Sequence, residues 1–110
     1  MAHKAEPLTE SYFFILLCLY RGPNHGYGIM QQALKLSNGN VRIGSGTMYG
    51  ATGNMMKKGW IEECPSDAGG FDRKRQYRLT EKGHQALMDE VERLRYLNRA
   101  ALDVMGGTDA

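Results

Sequence analysis

A mostly α-helical chain with a small two-stranded β wing and a long helix at its C-terminal end is the fold class this 110-residue sequence predicts. Two observations carry that prediction. From Gly44 to Lys82 the chain passes from a short helical stretch through two extended stretches, parted by Gly69-Gly70, into a new helix start. Beyond Thr80, apolar residues recur up to Met105 at alternating four- and three-residue spacings.

Composition sets the bounds. Hydrophobic residues at 42% and charged residues at 24% fit one globular domain with a modest core. The formal net charge is only +2, so any polyanionic partner must be argued from where the charges sit. Cys18 and Cys64 match no metal or redox spacing; Cys18 reads as a core residue and Cys64, on an extended stretch, as the more exposed thiol. The apolar run Tyr12–Tyr20 is too short to span a bilayer and lacks a cleavage site, so the expectation is a cytoplasmic protein with no membrane contact. His3, His25 and His84 lie in separate segments and suit helix-end or surface roles. No phosphate loop, nucleophile set or carboxylate pair is legible, so no cofactor, metal or catalysis is expected.

Residues 1–7 read as a disordered tail. Thr9 suits the N-cap of a first helix whose stripe is Leu8, Tyr12, Ile15, Leu16 and Leu19. Phe13, Phe14, Leu17 and Cys18 make that helix apolar nearly all round, so a second subunit is expected to cover part of it. Arg21-Gly22-Pro23-Asn24 stops it. A second helix carries Ile29, Met30, Ala33, Leu34 and Leu36 and ends at Asn38-Gly39-Asn40. Val41-Arg42-Ile43 reads as extended, with Ile43 inward. A third helix, capped by Ser45 or Thr47, runs to about Lys58 with Met48, Ala51, Met55 and Met56 facing the core. The hairpin from Ile61 to Leu79 turns at Asp67–Gly70, with Tyr77 and Leu79 inward. Thr80 caps the last helix, and Leu87, Val91, Leu94, Asn98, Ala101 and Met105 form a seam suited to a second copy of the chain. Residues 8–79 thus form one unit, 80–105 a dimerisation helix and 106–110 a tail.

The third helix leaves Ser45, Thr47, Tyr49, Gly50, Asn54 and Lys57 off its core side, a small and hydrogen-bonding face of the kind that enters a major groove. Asn54 suits adenine, Lys57 guanine or phosphate, and the glycines permit close backbone approach. Such a face in isolation is most simply a solvated helix surface. Arg73-Lys74-Arg75, beside the Gly-Gly tip and at the right distance after that helix, adds cations for flanking phosphates or a minor groove. Helix, hairpin with basic return strand, helix is the order of a winged helix-turn-helix, and double-stranded DNA is the expected partner.

Five segments resemble the PadR family of transcriptional regulators: Gly22–Tyr27, Gly46–Tyr49, Lys57–Ile61, Lys74–Thr80 and Glu81–Gly83, within a likeness from Leu8 to Met105. The resemblance is to the short subgroup. It implies a homodimeric repressor joined by the C-terminal helix, often released from DNA by a small aromatic or drug-like effector. Ser45 stands where the family usually has Pro, and Gly50 and Gly53 where it commonly carries Arg or Leu. An effector pocket would lie between the first and last helices, with Phe13, Phe14, Leu17, Met88, Glu92 and Tyr96 as candidate contacts. Two other readings stand beside this one: a winged module that binds protein, and a small-molecule sensor for which DNA is secondary.

Overall fold

Thr9 lies in extended backbone and its hydroxyl accepts the Tyr12 N–H at 3.1 Å, which starts helix α1 (Glu10–Tyr20). This computed structural model describes residues 6–65 and 75–106. Helix α1 buries Ile15, Leu16, Cys18 and Leu19 and leaves Tyr12, Phe13, Phe14 and Leu17 half-buried. Gly22 then takes φ +145°, which turns the chain where an L side chain would be strained. Strand β1 (Asn24–His25) leads into α2 (Gly26–Leu36), and His25 Nδ1 caps that helix by accepting the Gly28 N–H at 3.1 Å.

Helix α3 (Ser45–Lys57) begins without a side-chain cap, which corrects the capping role expected of Ser45 or Thr47. A hydroxyl caps only from the extended residue ahead of the first turn. Here that residue is Gly44, and Ser45 and Thr47 are already helical.

Strands β2 (Ile61–Cys64) and β3 (Gln76–Leu79) pair antiparallel, with Ile61 opposite Leu79 and Cys64 opposite Gln76. The expected two-stranded wing is this β2–β3 pair, and among the described residues a third strand joins it. Strand β1 adds to the other edge of β3, Asn24 opposite Tyr77 and His25 opposite Gln76, in the order β1-β3-β2. Two residues are too few to display a strand's alternation in sequence. The expected tip, Asp67–Gly70, lies outside the described residues.

One core unites these elements: Ile15, Leu16 and Leu19 of α1, Ile29 and Ala33 of α2, Val41 and Ile43, Met48, Ala51 and Met55 of α3, then Ile61, Tyr77 and Leu87. Each large apolar side chain so buried contributes about 1.5–3 kcal/mol. Thr52 is buried too; its hydroxyl donates to the Tyr49 carbonyl at 3.1 Å, so it enters without an unsatisfied polar atom. Burial pushes the Cys18 thiol up to about 11, against a lowering pull from Arg21, and leaves it protonated and inert.

Helix α4 (Glu81–Met105) is capped by Thr80, whose hydroxyl accepts the Gly83 N–H at 3.0 Å, and it ends at Gly106 in the left-handed region. Its first turns dock on the domain. Leu87, expected in the intersubunit seam, is only 2% exposed and belongs to the protomer's own core. The seam and the domain-facing stripe coincide there because α4 still lies against α1.

Glu90 is 5% exposed, and its carboxylate accepts Arg93 Nε–H at 2.9 Å and Arg93 Nη2–H at 2.7 Å. The Arg93 hydrogen bonds, more than burial opposes them, hold its pKa below the usual 4.5. A depressed folded pKa contributes stability that is present above the unfolded value near ~4.3 and lost as pH falls through the folded one. Glu90→Gln is expected to cost about 1–2 kcal/mol in urea melts at neutral pH. The gap should narrow as pH falls through the lowered folded pKa, and one that persists in strong acid contradicts this account of Glu90.

Candidate nucleic-acid interface

Helix α3 turns Met48, Ala51, Thr52 and Met55 to the core, which at 100° per residue sends Gly46, Tyr49, Gly50, Gly53 and Lys57 outward. Tyr49 is 79% exposed, and a Cβ added at Gly46, Gly50 or Gly53 would meet no atom within 4 Å. The centre of the face is therefore bare backbone, flanked by a phenol and an ammonium group. Tyr49, Gly50, Asn54, Lys57 and Arg75 line one shallow groove of about 300 Å³ between α3 and the sheet. Ser45 and Thr47 are exposed on the first turn of α3, away from that groove, where N–H groups and the helix dipole favour an anion. Arg73 and Lys74 lie outside the described residues.

Two features of this face differ from a bare reading of the sequence. Arg75 Nε lies 3.4 Å from Glu63 Oε2, and Arg78 Nε 2.8 Å from Glu62 Oε2, so both described arginines of the return strand face a carboxylate across the sheet. The register, with Glu62 opposite Arg78, brings them together, and exposed pairs of this kind hold by at most about 1 kcal/mol. The second feature is Asn54, whose Nδ2–H donates to the Tyr12 hydroxyl of α1 at 2.9 Å. Tyr12 had been placed in an apolar stripe, where its ring does pack against the core. The one signal in the sequence was its hydroxyl, which needs a partner.

Lys58 stands beside the interface with its Nζ 5.2 Å from the centroid of the half-buried Trp60 ring. A cavity of about 660 Å³ opens there, lined among others by Leu8, Tyr12, Trp60, Lys82 and Ala86. None of the candidate effector contacts lines it. Phe13 and Phe14 meet edge to face at 5.5 Å on α1 with Leu17 half-buried nearby in sequence, while Met88, Glu92 and Tyr96 are exposed on α4.

The far half of α4 projects beyond the core. Leu94, Leu97, Val104 and Met105 are exposed, Val104 to 88%, as are Asn98 and Ala101; Val91 packs partly on the core. Among the described residues no helix is long and apolar enough to cross a membrane, and no cluster of His, Cys, Asp and Glu could hold a metal ion.

The sequence pattern described as the transcriptional regulator PadR-like family matches residues 15–89. A PadR family transcription regulator from Clostridium difficile has a similar structure, with a TM-score of 0.74 at 23% identity over 90% of this chain and 100% of that one. A transcriptional regulator from Clostridium thermocellum gives 0.73 at 22% identity, over 84% and 87%. Bacillus subtilis PadR, solved in complex with operator DNA, gives 0.65 at 24% identity over 73% of this chain and 45% of that one. At these identities the likeness is one of fold. No curated protein matches the sequence. With α2, α3, the sheet and the core above falling inside the matched span, the chain belongs to the PadR-like family of transcriptional regulators, and not to a family of enzymes.

Proposed function

We propose that the protein is a homodimeric repressor that lays α3 of each subunit in a major groove of a near-palindromic operator and is released by a small effector. The observation that carries the DNA reading is the outward face of α3, bare backbone at Gly46, Gly50 and Gly53 with Tyr49 and Lys57 beside it. A helix without side chains at its centre approaches bases and phosphates closely. That B. subtilis PadR was solved in complex with operator DNA supports a DNA duplex as the partner. The uncovered apolar half of α4 supports the dimer, which would place the two α3 helices roughly 34–36 Å apart, one turn of duplex. The effector reading rests on the half-buried aromatics of α1, Phe13 and Phe14, and on the exposed Tyr96.

Gly50→Ala and Gly53→Ala make the test. Each should stabilise the fold by about 0.5–1 kcal/mol, because both sites are helical and open. Each should also weaken binding to a fragment from upstream of the coding sequence, by about tenfold if one methyl blocks the approach. Stabilisation with unchanged affinity in electrophoretic shifts would remove α3 from the interface.

A second reading, a winged module for a protein partner, is favoured by the pairing of Arg75 with Glu63 and Arg78 with Glu62, which mutes the cationic strand. It predicts no shift of any duplex and recovery of a protein partner.

A further inference from the structure

The Asn54–Tyr12 hydrogen bond ties the DNA-facing helix to α1 by side chains 42 residues apart in sequence. We infer that Tyr12 is a positioning residue for base recognition: its hydroxyl fixes the Asn54 amide so that this amide reads adenine. The inference rests on the DNA reading above and adds to it a residue that lies outside α3.

The chemistry is a matter of counting. A primary amide has two N–H donors and a carbonyl oxygen. Adenine in the major groove offers N7 as acceptor and the N6 amino group as donor, and a side-chain amide pairs with both only through its oxygen and one N–H. At Asn54 one N–H is taken by Tyr12, at 2.9 Å, which leaves the oxygen and the other N–H. The hydroxyl therefore occupies the donor that adenine does not use, and holds the useful pair in one orientation. An exposed asparagine without such a tether would have to give up its side-chain freedom on binding, a cost that preorganisation removes. Tyr12 can serve as an anchor because its ring is half-buried against the core while its helix is fixed by Ile15, Leu16 and Leu19. Asn54 itself is exposed and borders the groove with Tyr49, Lys57 and Arg75.

Tyr12→Phe removes one oxygen and keeps the ring, so it isolates the tether from the packing. The full-length protein and its Tyr12→Phe, Asn54→Ala and doubly substituted variants are to be titrated against a bound upstream duplex. A panel of that duplex with each base pair replaced in turn completes the measurement. Tyr12→Phe should leave the melting temperature within about 3 °C and lower affinity for the parent duplex about three- to tenfold. The loss should be confined to an adenine-containing position that Asn54→Ala also relaxes. The double variant should equal Asn54→Ala alone, as for two groups acting through one contact. Equal discrimination in Tyr12→Phe and wild type, or losses that add in the double variant, would overturn the assignment. If the wild type binds no duplex the DNA reading itself fails; binding with base preference untouched by Asn54→Ala defeats only the present inference.

Discussion

Gly83→Ala is expected to unfold this protein or to leave it barely stable. Gly83 lies in the first turn of α4, buried, and a Cβ built there would overlap the Trp60 carbonyl oxygen and crowd the Trp60 Cα. The obstacle is backbone, so no rotamer change relieves it. The junction is fixed on both sides: the Thr80 hydroxyl donates to the Gly59 carbonyl while accepting the Gly83 N–H, and the Thr80 N–H donates to the Trp60 carbonyl at 3.0 Å. Inserting a methyl must push α4 off the sheet, at about 3 kcal/mol or more. Domains of this size hold only about 5–15 kcal/mol in all. Thermal unfolding should show a fall in Tm of more than ~10 °C, or no cooperative transition. The open site Gly53 is the control, since alanine there should raise Tm. A Gly83→Ala protein as stable as wild type would mean that α4 does not meet Trp60 as described.

Leu94→Glu should dissolve the proposed dimer without disturbing the domain. Leu94 is exposed on α4 past the point where Leu87 and Val91 have met the core, and Leu97, Val104 and Met105 continue the apolar surface. A carboxylate there is solvated in the monomer but desolvated and unpaired against a second α4. Sedimentation at micromolar concentration should show a dimer for wild type and a monomer for the variant, with Tm lowered only as far as the lost partner dictates. In the proposed assembly a lone subunit would hold one groove, and losing the linked second contact should cut operator affinity by roughly 10²–10⁴. A wild type already monomeric at that concentration, or a variant still dimeric, contradicts the proposed seam.

The fold was legible where it rests on local signals. Thr9 and Thr80 are caps, Gly106 ends α4 in the left-handed region, and Met48, Ala51 and Met55 turn inward as their spacing requires. What escaped the sequence depends on neighbours distant along the chain. Strand β1 is recognisable only beside β3, and the seam position of Leu87 gives way to the core only once α1 is in place. Nothing in the segment around Glu90 marks it as buried, and only the fold shows its carboxylate paired with Arg93. In the site, the exposure of Tyr49, Gly50 and Lys57 followed from helical periodicity, whereas the pairing of Arg75 with Glu63 is set by strand register. Tyr12 shows the limit most plainly: an aromatic in an apolar stripe is core by pattern, and nothing in its own segment announces Asn54.

The most direct test is the binding of purified protein to a fluorescent duplex from upstream of its coding sequence, followed by anisotropy as salt is raised from about 50 to 200 mM. Two subunits, each seating α3 and its flanks on phosphates, predict tight binding at low salt. They also predict that log K falls against log salt with a slope of about −4 or steeper. Binding absent at the lowest salt, or present with no salt dependence, would contradict an account built on α3 as a groove-entering helix.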